Sequence, residues 1–340
     1  MKKQIFIVGI TVLFVITGLS GCLQEPTTQV TEKGLVIYEN LTISDLNFTA
    51  ENYPKVDGST STHPLAVLIA CKIFNISYHW SNYTENWFET IENDLIPNAS
   101  EPGKEDIAYN IMYNMTHAGT NDAYVNLINK TADLILVARL PSDDELKLAE
   151  NYSVELTAKP VALDAFIFLL NTNNSVNDLN ITQIQKIYTG EITNWSEVGG
   201  NNTSINAYQR EENSGSQELM KNLVMKNLGM IHSPNMILYG MMGPFNMLSN
   251  DKDGIGYTVY YYEEYMAPTT LKENIKVCGV NGIMPTYDNI STKTYPYTAE
   301  VYVVIRNDLD TQSNAYKLRD WLLGVDGQNV VQESGYVPVS

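Results

Sequence analysis

Apolar strand-like runs and helical stripes alternate along most of the chain. YPKVDGSTSTHPLAVLIACKIF (residues 53–74) reads as a strand end, a turn of small residues and a helix. Pro64 falls in the first helical turn, where a missing N–H does no harm. HAGTNDAYVNLINKTADLILVA (117–138) repeats the scheme: a turn, a short helix with Tyr124, Leu127 and Ile128 on one face, then the strand DLILVA. VELTAKPVALDAFIFLLN (154–171) is a continuous apolar run, the pattern of a buried strand. TQIQKIYTGEITNW (182–195) predicts a helix ended by Gly190. SINAYQREENSGSQELMKNLVMKNL (204–228) is strand, turn and helix again, with Leu219, Met220, Leu223, Val224 and Leu228 as the helical stripe. GIGYTVYYYEEYM (254–266) predicts a half-buried strand edge and then a helix start. AEVYVVIRND (299–308) reads as a buried strand and NAYKLRDWLLG (314–324) as a helix. This alternation predicts an α/β architecture with mainly parallel sheets.

The N-terminus follows a different pattern. Lys2 and Lys3 precede the apolar stretch IFIVGITVLFVITGL, which ends in LSGC at residues 19–22. The pattern resembles a lipoprotein signal peptide spanning 1–22, cleaved before Cys22 with lipid on its thiol. A plain N-terminal membrane anchor is the alternative, although the run is short against the ~20 apolar residues of a spanning helix. On either reading the body lies outside the cell on a tether. Residues 23–34, LQEPTTQVTEKG, form a polar linker.

Composition narrows the function further. The 340 residues are 44% hydrophobic, enough for a large core and more than one domain. The 39 acids against 21 bases leave a net charge of -18, which argues against a nucleic-acid partner. No CxxC or HxxxH pattern marks a metal site, and no motif asks for a cofactor. Cys71 and Cys278 leave two readings open, one disulfide or free core thiols. Asn-X-Ser/Thr sequons, among them those at Asn40, Asn47, Asn75 and Asn98, agree weakly with an external location.

Three strand-to-helix turns share one chemistry: DGSTSTHP, HAGTND and REENSGSQ. Each is rich in Gly, Ser or Thr where a helix begins. Glycine lets backbone approach a ligand closely, and hydroxyls cap free N–H groups. Helix N-termini carry unpaired donors and partial positive charge, so three converging on one point hold an anion. Simple helix capping gives the same residue types. Arg210, four residues before Ser214, tips the reading toward a shared anion site.

YTGEITNWSEVGG, QREENSGSQELM and GIGY, with VDGSTSTHPLA before them and SGYVPV after, resemble the phosphate-binding subunits of phosphate ABC transporters, the PstS type. The likeness runs from about Tyr53 to Val339. It implies a type II periplasmic-binding-protein clamshell: two α/β lobes, each a mainly parallel sheet flanked by helices, joined by two crossover strands and closing on an oxyanion. The crossings then fall near ALDAFIFLLN and in the stretch leading to AEVYVVIRND. Lobe one takes 35–165 plus 271–340, and lobe two takes 166–270.

Carried over by position, the ligand contacts implied by the resemblance are Ser59, Thr60 and Ser61 in the first turn and Gly119 and Thr120 in the second. The third turn supplies Arg210, Ser214, Gly215 and Ser216. Arg210 is expected to grip two oxygens of the anion at once, as a lysine cannot. The family usually has an aspartate after the strand matching DLILVA, accepting the hydrogen of HPO4. Here that position is Arg139, which is counted among the ligand contacts as a cation. Asp143 or Asp144 is an alternative acceptor.

The expected function is therefore phosphate capture and delivery to an ABC permease by a monomeric, lipid-tethered binding protein, without chemistry or cofactor. Two alternatives stay open: another oxyanion (sulfate, molybdate, tungstate) or a sensor without a permease, and an exported phosphate-ester hydrolase using Ser214. For the hydrolase no histidine lies near Ser214 in sequence, and His63, His117 and His232 have to approach in space.

Overall fold

The computed structural model describes residues 29–30, 36–37, 41–84, 91–226 and 228–339. The expected signal segment and Cys22 lie outside these residues. The chain divides into a unit ending at Glu39 and a body from Asn40 onward. In the first unit Gln29–Val30 pairs antiparallel with Val36–Ile37. The segment 23–34, expected to be a linker, thus contains the strand Gln29–Val30. Among the described residues no helix is long and apolar enough to cross a membrane.

Six strands organise the body: β1 (Val56–Gly58), β2 (Leu134–Val137), β3 (Leu156–Asn171), β4 (Gly254–Val259), β5 (Ile275–Val280) and β6 (Thr298–Arg306). β3 is buried without a break from Val161 to Asn171, as its apolar run requires. Its first part, Leu156–Ala165, pairs antiparallel with β6; from Phe166 onward it pairs with β4, and from Phe168 with β5. The partners change between Ala165 and Phe166. β1, β2 and β6 therefore stack on one half of the sheet and β4 and β5 on the other, with one strand shared. Pro160, which cannot donate to a ladder, sits where the β3–β6 register shifts.

Two sequence expectations change here. The sheet is mixed: β1–β2 is parallel, but β2–β6, β6–β3, β3–β4 and β3–β5 are antiparallel. The chain passes between halves through extended strands, and strands joined that way return antiparallel. β5 also belongs with the second half, because it pairs with Phe168–Asn171 and with Asp178–Leu179. The lobe boundary expected at 270 lies just before this strand.

The helices that matter for the site are α1 (His63–Phe74), α2 (Thr120–Ile128), α3 (Asp143–Asn151), α4 (Ile181–Thr189) and α5 (Gly215–Leu219). α1 follows a 3₁₀ turn, Thr60–Thr62. α4 ends at Gly190 in the left-handed region (φ 80), as read from the sequence. α5 is shorter than its stripe suggested and runs into a π-turn, Met220–Met225. The wider turn shifts the stripe, so Leu219, Met220 and Val224 are buried while Leu228 is exposed. The tyrosine-rich strand is no edge: β4 lies between β3 and Asn206–Ala207, buried at all six positions. Cys71 on α1 and Cys278 on β5 are buried free thiols in different halves, and burial pushes both up to about 12. The core is therefore closed without a disulfide between them.

Candidate functional site

The three small-residue turns meet. A cavity of about 370 Å³ is lined by Ser59, Thr60, Ser61, Gly119, Thr120, Arg210, Ser214, Gly215 and Ser216. Each turn ends in a helical start, where the first N–H groups have no intrahelical acceptor.

The first two turns are tied to each other. Ser59 follows β1, and its N–H donates to the carbonyl of Leu136 on the adjacent β2 (3.0 Å). Its hydroxyl accepts from the N–H of Ala138 (3.1 Å) and shares a hydrogen bond with the Thr120 hydroxyl (2.7 Å). Asp57, buried in β1, accepts from the N–H groups of Gly58 (2.7 Å) and Ala118 (3.1 Å) with one oxygen and from Asn126 on α2 with the other (2.7 Å). One carboxylate thus aligns both turns. Gly119 caps α2 at φ 92, a conformation that L side chains rarely adopt. Tyr336, from the C-terminal SGYVPV, donates to the Ser61 carbonyl (2.9 Å), linking the end of the chain to the first turn.

The third turn comes from the other half. Ser214 caps α5 by accepting from Gln217 N–H (3.2 Å). Gly215 lies against Thr120 so closely that an added Cβ would stand 2.4 Å from the Thr120 hydroxyl oxygen. Two helix starts from opposite halves are therefore in contact. Arg210 is 4% exposed, and its backbone N–H donates to Gln217 (3.1 Å) and to the Tyr257 hydroxyl (3.0 Å). Its side chain donates through Nε and Nη2 to the two carboxylate oxygens of Glu211, both at 3.0 Å, and through Nε also to the Leu238 carbonyl (3.2 Å). Nη1 rests 3.5 Å from the Met241 sulfur, a weak acceptor that also lies 3.9 Å from the Ser216 hydroxyl.

Arg139 departs from the expectation: it does not line the cavity. Its guanidinium is buried against Glu145, Nη1 to Oε2 at 2.7 Å and Nη2 to Oε1 at 2.8 Å. The cause is local, since Glu145 belongs to the capping box that opens α3 and points back at the strand end. Asp143 and Asp144 open α3 and do not line the cavity either. The histidines stay out as well: His63 is paired with Asp94 (2.8 Å) and packed against the His117 ring, and His232 is exposed. None of the three is a cavity-lining residue.

The sequence reading missed Asp57, Glu211 and Met241. Asp57 and Glu211 stand inside the quoted motifs, where their acidity beside a supposed anion site is the signal. Met241 carries none, because a loop methionine looks the same wherever it folds. Among the described residues no cluster of His, Cys, Asp or Glu is arranged to hold a metal.

Residues 86–323 match the PBP superfamily domain. The chain is similar to the phosphate-binding protein PstS of Borreliella burgdorferi, 23% identical over 227 residues, covering 65% of this chain and 77% of that protein. It is also similar to PstS of Bacillus subtilis, 25% identical over 182 residues, covering 53% and 57%. A protein from Clostridium perfringens solved with bound phosphate superposes with a TM-score of 0.60 at 21% identity, covering 85% of this chain and all of that one. An ABC-type phosphate transport receptor from Vibrio cholerae gives 0.56 at 20% identity, covering 83% and 98%. These two structures share the clamshell architecture built here on β3. With more than half of its length matched, the chain belongs to the PBP superfamily and has its two-lobed, type II periplasmic-binding-protein fold.

Proposed function

We propose that this protein is an extracytoplasmic solute-binding lipoprotein that captures phosphate between its two halves and delivers it to an ABC permease. One observation carries the reading: three helix starts from two halves, with Arg210, surround one small cavity. The names of its relatives, PstS phosphate-binding proteins, agree with it. Neutral amides and hydroxyls supply most of the donors. Glu211 holds the Nε–Nη2 edge of Arg210 and leaves the Nη1 side, against a weak thioether acceptor, for the anion. Capture needs no bond-making, and Ser214 is used as a helix cap. Lobe one then comprises 40–165 with β6 and the C-terminal helices, and lobe two 166–280. The tether is the acylated Cys22, and the protein acts as a monomer.

A second reading, a different tetrahedral oxyanion, is favoured by Arg139 standing where the resemblance implies a proton acceptor; against it, Asp122, Glu211 and Glu212 line the same cavity and offer carboxylates of their own. Isothermal titration with phosphate, sulfate, molybdate and tungstate decides between them. Heat with phosphate alone is the expected result. No heat with phosphate rejects it as the ligand, and equal heats with sulfate favour the second reading.

A further inference from the structure

We propose that Arg139 is a positioning residue that latches the third turn to the opposite half of the molecule and so keeps the cleft shut around its anion. The proposal rests on the capture reading above.

Among the described residues, everything that fixes Arg139 belongs to its own half, with one exception. Tyr124 on α2 donates to its carbonyl (2.9 Å), and the Tyr124 ring lies 5.7 Å from the guanidinium. Nη1 donates to Glu145 and to the Leu140 carbonyl (2.9 Å). Glu145 is itself held by Ser142 N–H (2.7 Å). The Arg139 and Glu145 side chains are 3% and 2% exposed, so the pair forms a neutral, rigid unit. The exception is Nη2, which donates to the carbonyl of Asn213 at 3.2 Å. Asn213 belongs to the third turn, directly before the Ser214 cap.

Asn213 has φ 65. Asparagine enters that left-handed conformation more readily than other non-glycine residues, so the turn itself costs little. The bond from Arg139 fixes the Asn213 carbonyl from the opposite half, and it exists only while the halves are together. Because Glu145 cancels its charge, Arg139 is not drawn into the cavity to compete for the anion. The latch therefore acts through Asn213 and Ser214 and never touches the ligand.

The test uses the paired variant Arg139→Met with Glu145→Gln, which leaves no lone charge buried and keeps an oxygen for Ser142 N–H. Arg139→Lys is the second variant: it retains a cation for Glu145 but lacks a second nitrogen to span to Asn213. Phosphate dissociation is followed by stopped flow, and amide exchange is followed across 211–219 and across β3. Dissociation about tenfold faster, with association unchanged, is expected for both variants. Exchange should quicken at 211–219 and stay unchanged in β3. Unchanged dissociation and exchange overturn the latch, and so does exchange that rises equally in β3, which marks a general structural role. A wild-type protein that takes up no phosphate overturns the ligand reading instead, and the exchange measurements alone then decide the latch.

Discussion

Arg210 reaches the cavity with one edge of its fork already bound to Glu211. The pair aims the guanidinium and limits its net charge, so affinity depends on geometry as much as on attraction. Lysine cannot hold Glu211 and Leu238 and still reach an anion. Arg210→Lys should weaken phosphate binding by about 1.5–3 kcal/mol, roughly tenfold to a hundredfold, in a titration. Asp164 shows a different residue-scale effect. It is 2% exposed on β3, and one oxygen accepts from Ala165 N–H (2.7 Å) and Tyr261 N–H (3.0 Å). Its other oxygen has no hydrogen-bond partner among the described residues. Burial, only partly offset by these two bonds, raises its carboxyl to about 7. A raised acid pKa means the folded state holds a proton that the unfolded chain has released. The stability this contributes is complete below about pH 4 and is lost as the pH climbs through about 7. Asp164→Asn keeps an oxygen for both N–H groups and has no charge to bury. Urea melts should show the variant more stable at pH 8 by up to about 4 kcal/mol, with the difference shrinking toward pH 4. A variant less stable than wild type at pH 8 would show that the charged form is tolerated.

At the scale of elements, the site is a problem of aligning turns. β1 and β2 run parallel, which brings Ser59 beside Ala138, and Asp57 then pins the second turn to the first. In Asp57→Asn, one side-chain position becomes an N–H group facing another donor, Asn126 or a backbone amide. A loss of about 1–3 kcal/mol in chemical melts is expected, along with weaker phosphate binding, because both turns lose their common anchor. Only part of this was legible in the sequence. The Gly-Ser-Thr turns showed where helices begin, and Gly190 showed where one ends. The π-turn after α5 was not legible, because Met220–Met225 has ordinary helical composition and the wider turn is set by packing. Arg139 was misplaced for a similar reason: a capping box three to six residues downstream, at Ser142 and Glu145, captured its guanidinium.

At the scale of the whole molecule, two helix starts from opposite halves touch, and under the proposed capture mechanism that contact sets the limit of closure. Gly215 has no room for a methyl group against Thr120. Gly215→Ala should fold with a melting temperature near wild type yet lose most of its phosphate affinity. Small-angle scattering with phosphate should then show no compaction, whereas the wild type should compact. A Gly215→Ala protein that binds normally would mean the two starts separate in the working complex. Ligand capture should also stabilise the fold by mass action: phosphate at one hundred times its dissociation constant should add about 2.7 kcal/mol.

The sequence by itself determined the local elements: the buried β3 run, the helix starts and stops, the acidic charge and the residue types at each turn. Those follow from periodicity and backbone preference, which act over a few neighbouring residues. The tertiary structure alone decided that turns at 59–61, 119–120 and 214–216 share one cavity, that β5 joins the second half, and that Arg139 spends its charge on Glu145. These outcomes depend on which strands pair and on which buried donor reaches which acceptor across long stretches of chain, and a linear pattern does not encode such distances.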